Sequence, residues 1–233
     1  MTKQKQKTPK NVKRSIVRAT FRQTTLQKYK RMADPKHPKI LVLFDLNGTL
    51  IDRSKERNKY GKQIYKIRPG WKTLVNYLSK SQLFCVGLWT SAMRHNMIHI
   101  VNKLLGKRRI ACFLHRGNVC LKDEMGKEEW STVKDLRFIW KKSGDYWNER
   151  NTIIVDDTPS KVRLQPENAI RIPSCKGKLC VNVSETKCSE LQTMIHKSEA
   201  LKDNALFELL AKFQEIESSN FGQSDANDVR KFL

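Results

Sequence analysis

Residues 39–51 read Lys39-Ile-Leu-Val-Leu-Phe-Asp-Leu-Asn-Gly-Thr-Leu-Ile51, and an acid directly follows their five-residue apolar run. This run, residues 40–44, is too short for an ordinary helix, so it predicts a strand buried on both faces of a sheet. Because the carboxyl ends of central strands line the ligand crevice of open α/β sheets, Asp45 is a candidate for chemistry. The alternative is that Asp45 only caps a turn formed by Asn47-Gly48.

Two later stretches have the same build, an apolar run followed by small polar or acidic residues. Residues 84–89 lead into Thr90-Ser91, and residues 152–155 lead into Asp156-Asp157. Strands that alternate with helical segments predict a parallel sheet with crossover connections. We therefore expect the polar residues that follow each run to converge at one end of that sheet.

The segments between these runs have predicted structures of their own. Residues 46–66 are rich in charge and lack periodicity, which indicates a polar loop. Helices are predicted after Pro69-Gly70, after Thr90-Ser91, over residues 132–142 with Lys134 at the opening, and in the tail over residues 191–216. Residues 111–130 break the rhythm with short apolar pieces separated by glycines.

The order Asp, Thr-Ser, Lys, Asp-Asp resembles the phosphotransfer set of the haloacid dehalogenase superfamily. More narrowly, the chain resembles the phosphatases of the RNA polymerase II C-terminal domain and their NLI-interacting-factor-like relatives. The connecting segments that match are Lys66-Ile-Arg-Pro-Gly70, Val133-Lys-Asp-Leu136, Val155-Asp-Asp-Thr-Pro159, Leu164-Gln-Pro-Glu-Asn-Ala-Ile170 and Asp228-Val-Arg230. The resemblance implies one domain over residues 39–233. Its expected fold is a three-layer, Rossmann-like α/β sheet with a small β-insertion at residues 111–130 and no large cap domain.

This resemblance also implies a metal centre. Asp45 would be the nucleophile that attacks phosphorus and forms an aspartyl-phosphate. Its carboxylate, the carboxylate of Asp156 and the main-chain carbonyl of Asn47 would hold one Mg²⁺, which prefers oxygen ligands. Asp157 would support the site by orienting metal-bound water or the lysine, although a charged turn residue is the alternative interpretation.

On the phosphate side, the resemblance assigns three further residues. Thr90 would donate its hydroxyl to the phosphoryl oxygens, with Ser91 beside it. Lys134 would neutralise the negative charge that develops on those oxygens. Together with Asp45 and Asn47, Thr90 and Lys134 make up the expected catalytic set.

The departure from the family pattern is Asn47. The family motif has a second Asp at this position, and its carboxyl group protonates the leaving oxygen and later activates the hydrolytic water. An amide does neither, so acid–base help typically worth ~10²–10⁴ in rate is expected to be lost. Because a seryl alkoxide is a poor leaving group, a phosphoserine substrate should suffer most.

The basic composition of the chain also predicts a negatively charged binding partner. The net charge is +23, and residues 1–38 contain twelve Lys and Arg beside a single acid, Asp34. Such a segment predicts an extended arm that binds RNA, DNA or an acidic protein, with a solvated tail as the alternative. Its lysine-rich opening is typical of nuclear localisation segments, whereas residues 14–31 fit a mitochondrial transit peptide. No apolar run is long enough to predict a transmembrane segment.

Cysteine and histidine spacing indicates little further chemistry. The six cysteines form no Cys-x-x-Cys pair, and we expect free thiols. Cys112, His115 and Cys120 would supply three metal ligands, but a fourth at the usual spacing is missing, so zinc is the weaker interpretation.

Two functions remain open from sequence. The first is a Mg²⁺-dependent Ser/Thr phosphoprotein phosphatase with impaired general acid–base catalysis. The second is a pseudophosphatase that serves as a basic assembly subunit of an RNA–protein complex or of mitochondrial import machinery. The presence of Asp45, Thr90, Lys134 and Asp156 together favours the first, and Asn47 favours the second.

Overall fold

A five-stranded parallel sheet lies at the centre of the fold. The computed structural model describes residues 39–57, 63–106, 108, 110–122, 131–175, 203–219 and 228–233. In spatial order the strands are β5 (Phe113–His115), β4 (Phe84–Thr90), β1 (Ile40–Phe44), β8 (Thr152–Asp156) and β9 (Ala169–Arg171). The first apolar run therefore forms the middle strand, as its complete burial requires.

Helices cover both faces of this sheet. Ile40, Val42 and Phe44 pack in one core cluster with α1 (Trp71–Lys80), α2 (Arg94–Leu105) and α5 (Ala205–Ser218). Leu41 and Leu43 point to the opposite face and pack in a second cluster with α4 (Arg137–Ser143). The sheet is thus the middle of three layers, which confirms the predicted fold class.

The predicted amphipathic helices are present, with corrected starting points. In α1 all four predicted core residues are buried: Trp71, Leu74, Val75 and Leu78. Helix α2 begins at Arg94 and not at Thr90-Ser91, because β4 continues through Thr90. Helix α5 confirms the tail prediction over residues 205–216, and residues 191–202 lie outside the described residues.

Two antiparallel hairpins lie outside the central sheet. β2 (Ile51–Arg57) pairs with β3 (Gln63–Ile67), so the prediction of a polar loop up to Lys66 is wrong. β2 is rich in charged residues, and its pairing with β3 comes from main-chain hydrogen bonds, which an apolar pattern does not reveal. β6 (Cys120–Lys122) pairs with β7 (Thr132–Lys134) and follows the short helix α3 (Arg116–Val119).

The expected β-insertion at residues 111–130 is correct only in part. Its first strand, β5, joins the central sheet at the edge beside β4. Lys134 also lies elsewhere than predicted, since it ends β7 and the helix begins three residues later at Arg137. A β-branched pair, Thr132-Val133, favours the extended backbone at this point.

Other expectations have mixed outcomes. Residues 1–38, the basic arm, lie outside the described residues. Cys85 and Cys112 are buried free thiols, but Cys175 is disulfide-bonded, so the expectation of free thiols is wrong at that position. Within the described part of the chain, no helix is both long and apolar enough to cross a membrane.

Candidate active site

Polar residues from four strands meet at the carboxyl end of the sheet. They are Asp45 after β1, Thr90 at the end of β4, Asp156 at the end of β8 and Lys134 at the end of β7. The main-chain NH of Asp45 donates to the carbonyl oxygen of Val155 at 2.9 Å. Asp45 and Asp156 therefore lie side by side at the ends of two adjacent strands. All four side chains belong to residues with at most 1% of their surface exposed.

Lys134 joins the two acids directly. Its ammonium nitrogen lies 2.6 Å from Oδ1 of Asp45 and 2.6 Å from Oδ2 of Asp156. Oδ1 of Asp156 accepts a further hydrogen bond from the main-chain NH of Thr158 at 2.8 Å. A buried cation between two carboxylates needs this geometry, because each charge would otherwise be buried without a partner. The sequence-predicted residues Asp45, Lys134 and Asp156 therefore lie in one hydrogen-bonded group.

The protonation of this group follows from burial and mutual charge. Burial raises the pKa of Asp45, the ammonium of Lys134 lowers it and the carboxylate of Asp156 raises it, with a result of about 6. Burial lowers the pKa of Lys134, but the two carboxylates outweigh it and raise that pKa above its ordinary value. Lys134 is consequently charged at neutral pH.

Asp157 packs against the turn that follows Asp45. Gly48 has φ +84°, and a Cβ added there would lie 2.2 Å from Oδ2 of Asp157, so the carboxylate occupies the space that only glycine leaves. The main-chain NH of Asp157 donates to Oγ1 of Thr49 at 3.1 Å. These contacts bind the loop after β8 to the loop after β1, whereas both ion pairs of Lys134 go to the other two acids.

The oxygen atoms at this end of the sheet fit a Mg²⁺ ion. Asp45, Asp156 and Asp157 each offer a carboxylate oxygen, and these three atoms lie within 4.8 Å of one another. Oδ2 of Asp45 and Oδ1 of Asn47 are buried and have no hydrogen-bond partner among the described residues. Buried oxygens without a donor are costly, and a hard cation would satisfy both. Asn47 therefore offers a side-chain oxygen as well as the main-chain carbonyl predicted from sequence.

The hydroxyl residues line the side of the site next to α2. Oγ1 of Thr90 accepts a hydrogen bond from the main-chain NH of Ala92 at 3.2 Å, which fixes the turn between β4 and α2. Oγ1 of Thr132 donates to Oγ of Ser91 at 2.8 Å and so connects this turn with β7. Ser91 is thus linked to the strand that carries Lys134, two residues beyond Thr132.

Sequence reasoning missed the contacts that hold the two residues after Asn47, Gly48 and Thr49. The main-chain NH of Cys175 donates to the carbonyl oxygen of Gly48 at 2.6 Å. The guanidinium of Arg68 donates to the carbonyl oxygen of Thr49 at 3.2 Å and also pairs with the buried carboxylate of Asp203. Arg68 belongs to the segment Lys66-Ile-Arg-Pro-Gly70, so that segment carried a signal to which no role was assigned.

The weaker zinc interpretation gains no support. Cys112 is a fully buried thiol in the second core cluster, packed on the face of the sheet that carries α4. His115 ends β5 beside Thr90 and contacts Phe113 of the first cluster. Among the described residues, the acids Asp45, Asp156 and Asp157 form the one group of three or more His, Cys, Asp or Glu residues close enough to share a metal ion.

Comparisons with known proteins give a consistent result. A family model described as NLI interacting factor-like phosphatase matches residues 39–205, more than half of the chain. An uncharacterized FCP1 homology domain-containing protein of Schizosaccharomyces pombe is 31% identical over 178 residues, which cover 70% of this chain and 71% of that protein. The mitochondrial import inner membrane translocase subunit tim50 of Neurospora crassa is 36% identical over 110 residues, which cover 47% of this chain and 18% of that protein.

Among solved structures, the chain is similar to that of Fcp1, an essential RNA polymerase II CTD phosphatase. The TM-score is 0.43 at 14% sequence identity, and the match covers 88% of this chain. It covers 59% of the Fcp1 chain, so the present chain spans less than two thirds of that protein.

Proposed function

This chain belongs to the NLI interacting factor-like phosphatase family, and from that premise we propose that it is a Mg²⁺-dependent phosphoprotein Ser/Thr phosphatase with impaired acid–base catalysis. The observation that carries this proposal is the buried group formed by Lys134, Asp45 and Asp156 at 2.6 Å. Two buried carboxylates and a lysine are expensive to desolvate, and apolar residues of similar volume would stabilise the fold as well or better. Chemistry at this site is the role that best accounts for their retention together.

The proposed reaction begins with attack of an Asp45 carboxylate oxygen on phosphorus, which forms an aspartyl-phosphate. Lys134 stays ionised and stabilises the charge on the equatorial phosphoryl oxygens, and the hydroxyl of Thr90 donates to one of them, with Ser91 beside it. Asp45, Asp156 and the oxygens of Asn47 would hold Mg²⁺. When bound, this cation would polarise the phosphoryl group and keep both carboxylates ionised.

The position of Asn47 limits this reaction. Its amide neither gives a proton to the leaving oxygen nor takes one from water, so rate help of ~10²–10⁴ is missing. An aryl oxide leaves without a proton far more easily than a seryl alkoxide. We therefore propose that the chain turns over activated phosphate esters and leaves phosphoserine peptides nearly unchanged.

The test compares wild type with Asn47→Asp on an aryl phosphate and a phosphoserine peptide in the presence of Mg²⁺. Asn47→Asp should raise the phosphoserine rate by roughly 10²-fold or more and the aryl rate by much less. Asp45→Asn should abolish both rates, because it removes the nucleophile together with a metal ligand. Mass spectrometry must exclude deamidation at Asn47-Gly48, since a trace of aspartate would mimic activity. If Asn47→Asp is inert on both substrates with Mg²⁺ bound, the proposal fails.

A second candidate function is favoured by charge. Residues 1–38 carry twelve Lys and Arg and one acid, and this supports a pseudophosphatase that joins an RNA–protein complex or import machinery through this arm. We place it in the nucleus because of the lysine-rich opening, with the mitochondrion as the alternative.

For the arm, we expect binding to RNA or DNA with little sequence preference. The logarithm of the binding constant on duplex DNA should fall by about 0.9 per neutralised phosphate for each logarithmic unit of salt. Deletion of residues 1–38 should remove most of this binding at a fixed salt concentration, as measured by fluorescence anisotropy. Equal binding by the truncated protein would place the anion-binding surface on the domain.

A further inference from the structure

Gln165 joins the two segments of the chain that carry Lys134 and Asp156. Its side-chain oxygen Oε1 accepts a hydrogen bond from the main-chain NH of Leu136 at 3.0 Å, and its Nε2 donates to Oδ1 of Asp135 at 3.1 Å. Asp135 and Leu136 directly follow Lys134 at the end of β7, whereas Gln165 lies in the segment between β8 and β9. One side chain thus fastens the end of β7 to the segment that follows Asp156.

These bonds close a ring that contains the ion pair between Lys134 and Asp156. Oδ2 of Asp156 lies 2.6 Å from Nζ of Lys134, and its Oδ1 is held by the main-chain NH of Thr158. From Thr158 the chain continues through a 3₁₀ turn, Pro159–Val162, to Gln165. The side chain of Gln165 then returns to the residues after Lys134. Gln165 is therefore the link that holds the backbone of one ion-pair partner against that of the other.

An amide has the chemistry that this link requires. Leu136 presents an NH donor and Asp135 a carboxylate acceptor, so the linking side chain must accept one hydrogen bond and donate another. Burial raises the pKa of Asp135, but hydrogen bonds from Arg137 and from the amide of Gln165 lower it below its ordinary value. This carboxylate is consequently charged at neutral pH. Leu136 is 1% exposed, so loss of its acceptor would leave a buried NH unpaired.

We propose that Gln165 is a positioning residue for Lys134 and keeps its ammonium where it neutralises the charge that develops on the phosphoryl oxygens. This inference rests on the proposed function. The side chain of Lys134 is fully buried, and its nitrogen lies 2.6 Å from both Asp45 and Asp156. A shift of the backbone after β7 would lengthen at least one of these contacts. Misplacement of a reacting group by about 1 Å can cost about 10²-fold in rate, so loss of the link should be visible in catalysis.

The competing interpretation is that Gln165 only caps the start of α4 and so stabilises the fold. A residue with that role would change the unfolding midpoint but not the rate constants of the folded protein. A positioning residue would lower kcat and leave KM nearly unchanged, because Lys134 is proposed to act on charge that develops in the transition state. It would also change the surroundings of the Lys134 ammonium.

The first measurement is p-nitrophenyl phosphate turnover with Mg²⁺, well below the unfolding midpoint, for Gln165→Met, which makes neither hydrogen bond. We expect kcat to fall about 10–10²-fold with KM nearly unchanged. On a Lys134→Met background the same substitution should have no further effect on kcat, because the residue that it positions is gone. Gln82→Met, at an exposed position before β4 and at the opposite end of the sheet, is the matched control and should behave like wild type.

The second measurement does not depend on activity. In protein labelled with ¹⁵N-lysine, the buried ammonium of Lys134 should give a slowly exchanging NMR signal that is absent from Lys134→Met. Gln165→Met should shift or broaden this signal, because the ammonium then no longer keeps its place between the two carboxylates. Gln82→Met should leave the signal unchanged.

The outcomes separate this inference from the proposed function. A wild type that releases no nitrophenol with Mg²⁺ overturns the proposed function, and the ammonium signal then tests the link alone. An active wild type beside a folded Gln165→Met variant in which kcat or the ammonium signal is unchanged overturns this inference alone. An equally large fall in kcat on the Lys134→Met background also overturns it.

A second variant covers the case in which Gln165→Met does not fold. Gln165→Glu has the same shape and still accepts from Leu136, but it places a second carboxylate against Asp135. We expect the same loss of kcat and the same change in the ammonium signal. An unchanged kcat in this variant contradicts the inference.

Discussion

Loss of one partner from the buried ion pair between Arg68 and Asp203 should strongly destabilise the loop that follows Asn47. Their side chains are 2% and 3% exposed, and Nε of Arg68 lies 2.9 and 3.0 Å from the two carboxylate oxygens of Asp203. Asp203→Ala would leave the guanidinium buried with one remaining acceptor among the described residues, the carbonyl oxygen of Thr49 at 3.2 Å. Breaking such a pair costs about 3–5 kcal/mol. At about 2–4 °C per kcal/mol, the unfolding midpoint should fall by roughly 6–20 °C.

The assay is thermal and urea unfolding of wild type, Asp203→Ala, the double variant Arg68→Met with Asp203→Leu, and Arg137→Ala. The double variant should recover a large part of the loss, because it removes both charges from the interior. Arg137→Ala breaks a pair with Asp135 in which the arginine side chain is 66% exposed, so it should change the midpoint far less. If Asp203→Ala destabilises no more than Arg137→Ala does, the reasoning from burial is wrong.

Two further substitutions test the site itself. Gly48→Ala should lower stability by about 1–2 kcal/mol through left-handed strain and should also reduce aryl phosphatase activity by displacing Asp157. Its control is Gly106→Ala, which has φ +58° but meets no atom closer than 3.8 Å, so urea unfolding should show the strain while the enzyme assay shows full activity. Lys134→Met should lower aryl phosphate turnover about 10²–10³-fold, because the phosphoryl oxygens then lose the ammonium that neutralises their charge. Lys141→Met, at an exposed position of α4, should leave the rate unchanged.

The site residues at the strand ends could be predicted from the sequence, because each of them lies directly at the end of a buried apolar run. Asp45, Thr90 and Asp156 each end or follow an apolar run, and parallel strands bring such residues to one edge of a sheet. Lys134 lacks this signal. Its strand, Thr132–Lys134, has three residues, which is too short for a periodicity to be recognised, and its pairing with β6 is formed by main-chain atoms.

Contacts between distant segments were the least predictable part of the site. Asp157 reaches Thr49 across 108 residues, and Arg68 reaches Asp203 across 135 residues. Composition and spacing report which face of an element is apolar, but they do not report which loop a polar side chain meets in the fold. The segment Lys66-Ile-Arg-Pro-Gly70 matches the family in sequence, but that match does not say what Arg68 does. The structure shows that Arg68 binds the carbonyl oxygen of Thr49 and so holds the loop after β1.

The charge of the site connects its two candidate functions. Asp45, Asp156 and Lys134 together carry a formal charge of −1, and an aspartate at position 47 would add another negative charge beside the phosphate. With Asn47 the site repels a phosphoryl dianion less, and the same amide removes the acid–base group that would speed its hydrolysis. Asparagine in place of aspartate at position 47 thus favours the binding of a phosphoryl group over its hydrolysis. A slow phosphatase and a phosphoprotein-binding subunit then follow from one arrangement of residues, and they differ in how fast water hydrolyses the aspartyl-phosphate.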